Sequence, residues 1–72
     1  MNKKPAYPAL AQLMAKHGMR KGDISKIIGV SYRNTLKKIN GETLFNIVEA
    51  SKIVLALNEM GEDTTIEHIF FS

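Results

Sequence analysis

Apolar residues along this chain fall into five short runs, each with helical spacing. Leu10, Leu13 and Met14 share one face of a helix that Pro8 can open, since its missing N–H goes unpaired in a first turn anyway. Ile24, Ile27 and Ile28 repeat the pattern in the stretch that starts near Arg20 or Lys21, where no good N-cap residue stands. Gly22 weakens that helix by up to about 1 kcal/mol relative to Ala, while Asp23 in its first turn suits the helix dipole. Tyr32, Thr35, Leu36 and Ile39 form a third stripe, expected to face inward. Ile47, Ala50, Ile53, Val54 and Leu57 form a fourth and wider stripe, and Ile66, Ile69 and Phe70 a short fifth.

The residues between the stripes are helix punctuation. Gly18, Gly29, Asn40-Gly41 and Gly61 stand where helices need residues that tolerate positive φ. Ser31 offers an N-cap hydroxyl to the third helix. Asn46-Ile47-Val48-Glu49 reads as a capping box, and Thr64-Thr65-Ile66-Glu67 as a second one. Leu44 or Phe45 is expected to plug the core from the loop before the fourth helix. Val48, Leu55, Met60 and Phe71 are left over, available to the terminal segment or to a second copy. The expectation is an all-α fold, a compact bundle of five short helices.

Length and charge narrow this further. At 72 residues the chain makes a single small domain, expected over residues 8–72, with residues 1–7 as a flexible basic tail. A tail holding Lys3 and Lys4 either touches nothing or reaches round a polyanion as a basic arm. There is no cysteine, hence no disulfide framework and no thiolate metal site. No apolar run approaches the roughly 18 residues of a membrane span, and Met-Asn-Lys-Lys-Pro lacks the apolar core of a signal peptide, so a cytoplasmic protein is expected. The net charge of +3 hides a strong asymmetry. Through residue 40 nine cationic side chains face one carboxylate, a net of +8; beyond it one lysine faces six carboxylates, a net of −5. A polyanion would be drawn to the first half and repelled by the second.

The basic half also holds the one arrangement with a recognisable use. Two short helices meet at Gly29-Val30-Ser31, and the second has a basic outer face; this is the geometry of a DNA-reading helix-turn-helix. On that outer face lie Arg33, Asn34 and Lys37, with Lys38 and Asn40 at its margin. Arg can bind guanine O6 and N7 together, Asn can do the same with adenine N6 and N7, and Lys37 reaches a guanine or a phosphate. Tyr32 fits both the inner stripe and the groove face, and the sequence leaves the two open. Arg20 and Lys21 stand at a helix N-terminus, the end that meets phosphate in such motifs. Ser31 and Lys38 join them as phosphate candidates, and so does Asn40, whose competing role is a left-handed C-cap.

Gly18-Met19, Ile24, Gly29-Val30-Ser31, Asn40-Gly41 and the ending Thr65–Phe71 together resemble the framework of the phage repressor family, the Cro/CI-type, xenobiotic-response-element-like helix-turn-helix proteins. The resemblance covers roughly residues 8–71, and its specificity lies in the combined spacing rather than in any one motif. It departs at Arg20-Lys21, where the family often has Thr-Gln, and at Thr35, where an apolar residue is usual. It implies a lambda-repressor-like DNA-binding domain that reads bases through Tyr32, Arg33 and Lys37. It also implies a phosphate contact by Lys21, in the place of the family's Gln, and one by the loop at Asn40.

The expectation is thus a sequence-specific transcriptional regulator, a phage-type repressor binding double-stranded DNA as a homodimer, with no cofactor, no metal and no small-molecule ligand. A single module reading three or four bases discriminates too little against genomic DNA, and two half-sites raise specificity steeply. The alternative is a protein-binding module on the same scaffold, such as an antirepressor or an antitoxin-like partner. An enzyme is not expected: there is no Cys nucleophile, no paired His and carboxylate at helical spacing and no phosphate-cradling glycine loop. His17, without a second His or Cys nearby in sequence, reads as a dipole partner at a helix end, and His68 as a surface residue.

Overall fold

The computed structural model describes residues 5–71 as five helices, with no strand among the described residues. They are α1 (Pro8–Lys16), α2 (Lys21–Ile28), α3 (Tyr32–Ile39), α4 (Ile47–Glu59) and α5 (Ile66–Phe70). Residues 1–4 of the expected tail lie outside the described residues, as does Ser72. No helix among the described residues is long and apolar enough to cross a membrane.

Leu10 and Met14 of α1, Ile24 and Ile28 of α2, Ile53 and Leu57 of α4 and Ile69 of α5 form one buried cluster. Each such side chain contributes about 1.5–3 kcal/mol on leaving water. α2 packs on α3 and α4, and α5 on α1 and α4. Three aromatic rings pack against this cluster. Tyr7, Phe45 and Phe70 meet edge to face in every pairing, with centroids 5.5, 5.3 and 5.2 Å apart. Tyr7 is therefore part of the packed body rather than of a tail. Phe45 is the loop residue that plugs the core, while Leu44 stays 78% exposed.

The helix ends show where local pattern sufficed and where it did not. Asn46 and Glu49 make the expected reciprocal box: Glu49 N–H donates to Asn46 Oδ1 at 2.8 Å and Asn46 N–H to Glu49 Oε1 at 3.0 Å. α2 gains a cap that its sequence did not advertise, since the Asp23 carboxylate reaches back to the Arg20 N–H at 2.8 Å. α5 is capped by Thr65, not Thr64, through the His68 N–H at 3.1 Å. Thr64 is held instead by the Asn58 side chain, which bonds both its N–H and its carbonyl. Ile47, expected in the inward stripe of α4, is 64% exposed; it sits in the first turn, where Phe45 and Phe70 already close the core.

A cluster that no local pattern signals joins the end of α1 to the turn after α4. His17, the C-cap of α1, has Nε2 2.6 Å from Glu62 Oε2, and Lys16 Nζ lies 2.8 Å from the same oxygen. The two hydrogen bonds hold the Glu62 carboxyl below its ordinary value of 4.5.

The glycines supply a stability test with opposite signs. Gly29 and Gly41 have φ of 72° and 83°, and a Cβ on Gly41 would come within 2.8 Å of the Ala6 Cβ. Gly22 is helical and a Cβ there meets open space. Gly22→Ala is expected to stabilise the fold by about 0.5–1 kcal/mol. Gly29→Ala is expected to destabilise it by about 1–2 kcal/mol, and Gly41→Ala by more. Thermal unfolding of the three variants checks the order.

Candidate nucleic-acid interface

The connection between α2 and α3 is built around two carbonyls. Gly29 takes the left-handed conformation that ends α2, and its N–H reaches Ser25 O at 2.9 Å. The chain then turns so that the half-buried Val30 carbonyl accepts the Ser25 hydroxyl from before the turn, while the Thr35 hydroxyl after it donates to the Ser31 carbonyl. Thr35 Oγ1 is closer to the Ser31 carbonyl, at 2.8 Å, than to Val30 O, at 3.4 Å. Ser31 caps α3 by accepting the Asn34 N–H at 3.3 Å.

Thr35 is fully buried, at 0% exposure, and is the single buried residue of α3. A hydroxyl at that depth is costly unless bonded, and here the turn itself supplies the acceptors. The expected inner stripe is thus narrower than its spacing suggested. Leu36 and Ile39 are half-buried, and Tyr32 is 54% exposed, so the inward place the sequence left open for Tyr32 is not the one it takes.

Tyr32, Arg33, Asn34 and Lys37 are all exposed on α3, as are Ser31 at its start and Asn40 at its end. Among the described residues, no carboxylate pairs with Arg33 or Lys37. Arg20 and Lys21 are exposed at the start of α2, also without an ion pair there. Asn40 has φ of −79°, so the left-handed role weighed for it falls to Gly41 instead.

Lys38 is the exception among the expected contacts. Its Nζ lies 2.9 Å from Glu49 Oε1 and 3.0 Å from the Leu44 carbonyl, and its side chain is largely covered. The same Glu49 oxygen that caps α4 therefore ties down the end of α3 and the loop between them. Burial pushes the Glu49 carboxyl up; the Asn46 N–H, the Lys38 ammonium and the field of Lys52 outweigh it and leave the group below 4.5. This ion pair joins residues eleven apart in sequence, and charge pattern alone does not choose Glu49 as the partner of Lys38 over its neighbours. No group of three or more His, Cys, Asp or Glu side chains that could hold a metal occurs among the described residues.

Compared with protein-family models, with curated proteins and with solved structures, the chain matches none.

Two carboxylates that lock the frame give the fold a signed acid response. A carboxyl held below its unfolded value binds fewer protons when folded, so folding weakens as pH falls. For Glu49 and Glu62 the contribution is full above pH 4.5 and drains away as pH falls through their lowered native values. The unfolding midpoint is expected to drop more steeply below pH 4.5 in the parent than in Glu49→Gln or Glu62→Gln, each of which starts lower at pH 7. Melting curves from pH 7 to pH 3.5 check this.

Proposed function

We propose that this protein is a sequence-specific DNA-binding transcriptional regulator of the phage-repressor type, reading its operator as a homodimer with α3 in the major groove. One observation carries the reading. The first turn of α3 presents Tyr32, Arg33 and Asn34 to solvent, with Lys37 one turn on, and the cations have no carboxylate partner among the described residues. Recognition helices read base edges with their N-terminal residues, and a helix held by its turn leaves those residues free. Arg33 binds guanine O6 and N7, Asn34 binds adenine N6 and N7, and Lys37 takes a guanine or a phosphate. Tyr32 packs against a base edge or the sugar beside it.

Arg20, Lys21, Ser31 and Asn40 take the phosphates flanking that contact, fixing register without reading sequence. Lys38 leaves the contact set in this reading, because its charge serves Glu49 inside the protein. The chain regulates by occupancy: it covers a site that polymerase or another protein needs. We assign it no catalytic role.

Binding measured by fluorescence anisotropy against selected and random duplexes tests this. Log affinity should fall linearly with log salt, by about 0.9 per phosphate neutralised. Lys21→Ala should weaken all duplexes alike and reduce that slope by about one, whereas Arg33→Ala should cost about 1–3 kcal/mol on the selected site and relax preference at one base pair. Lys38→Ala should lower the melting temperature and leave the salt slope unchanged. Indifference of every duplex to Arg33→Ala and Lys37→Ala would sink the reading in favour of a protein-binding module.

A further inference from the structure

No small-molecule ligand is expected of so short a chain, yet the packing leaves room for a small one. A hollow of about 280 Å³ lies where α1, the start of α2 and the end of α3 meet. Tyr7, Leu10, Met14, Met19 and Ile39 wall it with apolar surface, and Lys21 is the one charged residue among those lining it. The space exists because α1 carries Ala11 and Ala15 there, four positions apart and hence neighbours on one helix face. Longer side chains at those two places would fill it. Lys21 and Ile39 also line a second, more polar hollow alongside, to which Asn40 and Glu42 belong.

We infer that the first hollow binds a short alkyl monocarboxylate, its chain against the two methionines and its carboxylate on the Lys21 ammonium. Ligand sites join an apolar wall to a few polar groups that fix orientation, and here the one charge in an apolar wall is positive. Lys21 forms no ion pair among the described residues, so an incoming carboxylate displaces no partner. It is also the first residue of α2, where the positive end of the helix dipole adds to its charge. Glu42 lines the outer hollow but not the inner one, so it disfavours a second negative charge beyond Lys21 and limits the ligand to a monoanion. Volume limits the chain. Ligand pockets run from about 300 Å³ upward, so a hollow at the foot of that range takes roughly eight non-hydrogen atoms, the size of hexanoate. At the free energy per atom that small ligands reach, such a molecule binds with a dissociation constant on the order of 1 mM.

The site touches function through Lys21. In the DNA reading above, Lys21 holds a backbone phosphate, and one ammonium cannot serve phosphate and carboxylate at full strength together. Bound acid therefore weakens DNA binding, and bound DNA weakens the acid by the same factor. This coupling rests on the DNA reading; the site rests on the hollow.

Methionine-methyl NMR on the intact chain, titrated with hexanoate to about 20 mM at constant ionic strength, tests the site. The Met14 and Met19 methyls should shift and saturate, while that of Met60, outside the hollow, should not. Hexanol should bind up to about fivefold more weakly than hexanoate, and hexylammonium more weakly still. Lys21→Gln should bring hexanoate and hexanol level. Ala11→Leu and Ala15→Leu, which keep a good helix former in α1, should each remove the saturable shifts and leave DNA affinity in the absence of acid unchanged. Saturating hexanoate should lower DNA affinity by up to about tenfold, the share of one phosphate contact; acetate should not, and Lys21→Gln should erase the difference. Saturable shifts at Met14 and Met19 in a protein with no preference among duplexes would defeat the DNA reading and leave the site standing. No shift at those methyls, shifts that survive both leucine variants, or a preference for hexylammonium would overturn the inference and leave the DNA reading to its own test. A contact between the Met1 methyl and those of Met14 or Met19 in the free protein would overturn it too, and would give the hollow to the start of the chain.

Discussion

α3 buries one side chain completely, and that side chain is a threonine. The helix with the most to present is thus held by hydrogen bonds at its two ends and by the half-buried Leu36 and Ile39 along its length. At the front, the Val30 carbonyl accepts the Ser25 hydroxyl, the Ser31 carbonyl accepts that of Thr35, and the Ser31 side chain caps the first turn. At the back, Lys38 joins Glu49 and the Leu44 carbonyl. Hydrogen bonds are directional where apolar contact is not, so this arrangement fixes how α3 is rotated while committing little of its surface. α2 supplies the anchorage that α3 lacks, with Ile24 and Ile28 sunk in the core. Substituting a larger apolar residue for Thr35 would overpack a filled position and remove the hydroxyl bond to the Ser31 carbonyl.

Much of this was legible in the sequence, and the reason is local. All five helices announced themselves because apolar spacing and punctuation agreed: Gly29 closes the stripe that Ile24, Ile27 and Ile28 open, and Asn46 with Glu49 reads as a box at sight. Where two local readings competed, the outcome turned on a distant residue. Thr64 read as the cap, with Glu67 three residues on, yet Asn58 holds Thr64 and Thr65 caps α5. Ile47 had the spacing of a core residue, but the first turn of a helix can overhang its core, and Phe45 with Phe70 had filled the place.

The candidate site divides along the same line. That Arg33, Asn34 and Lys37 share an exposed face follows from the helical period and was readable. That Lys38 does not belong with them was not, because its sign is written in the sequence and its partner is not. The same holds for the joint between His17, Lys16 and Glu62, whose members are 45 and 46 positions apart. His17 read as a dipole partner at a helix end, with no sign of Glu62 as its neighbour. The three together form a tie between the end of α1 and the turn after α4, outside any window that a periodicity argument scans.

Charge completes the division of labour. The chain carries a cationic half and an anionic half. On a small molecule such separation works against stability, since like charges gathered on one side repel. It is tolerated here because the carboxylates that matter to the frame, Glu49 and Glu62, are each matched to a lysine drawn from the basic half. Those two pairs cross the divide and stitch it. Arg20, Lys21, Arg33 and Lys37 form no ion pair among the described residues, and neither do Asp23, Glu42, Glu59, Asp63 and Glu67.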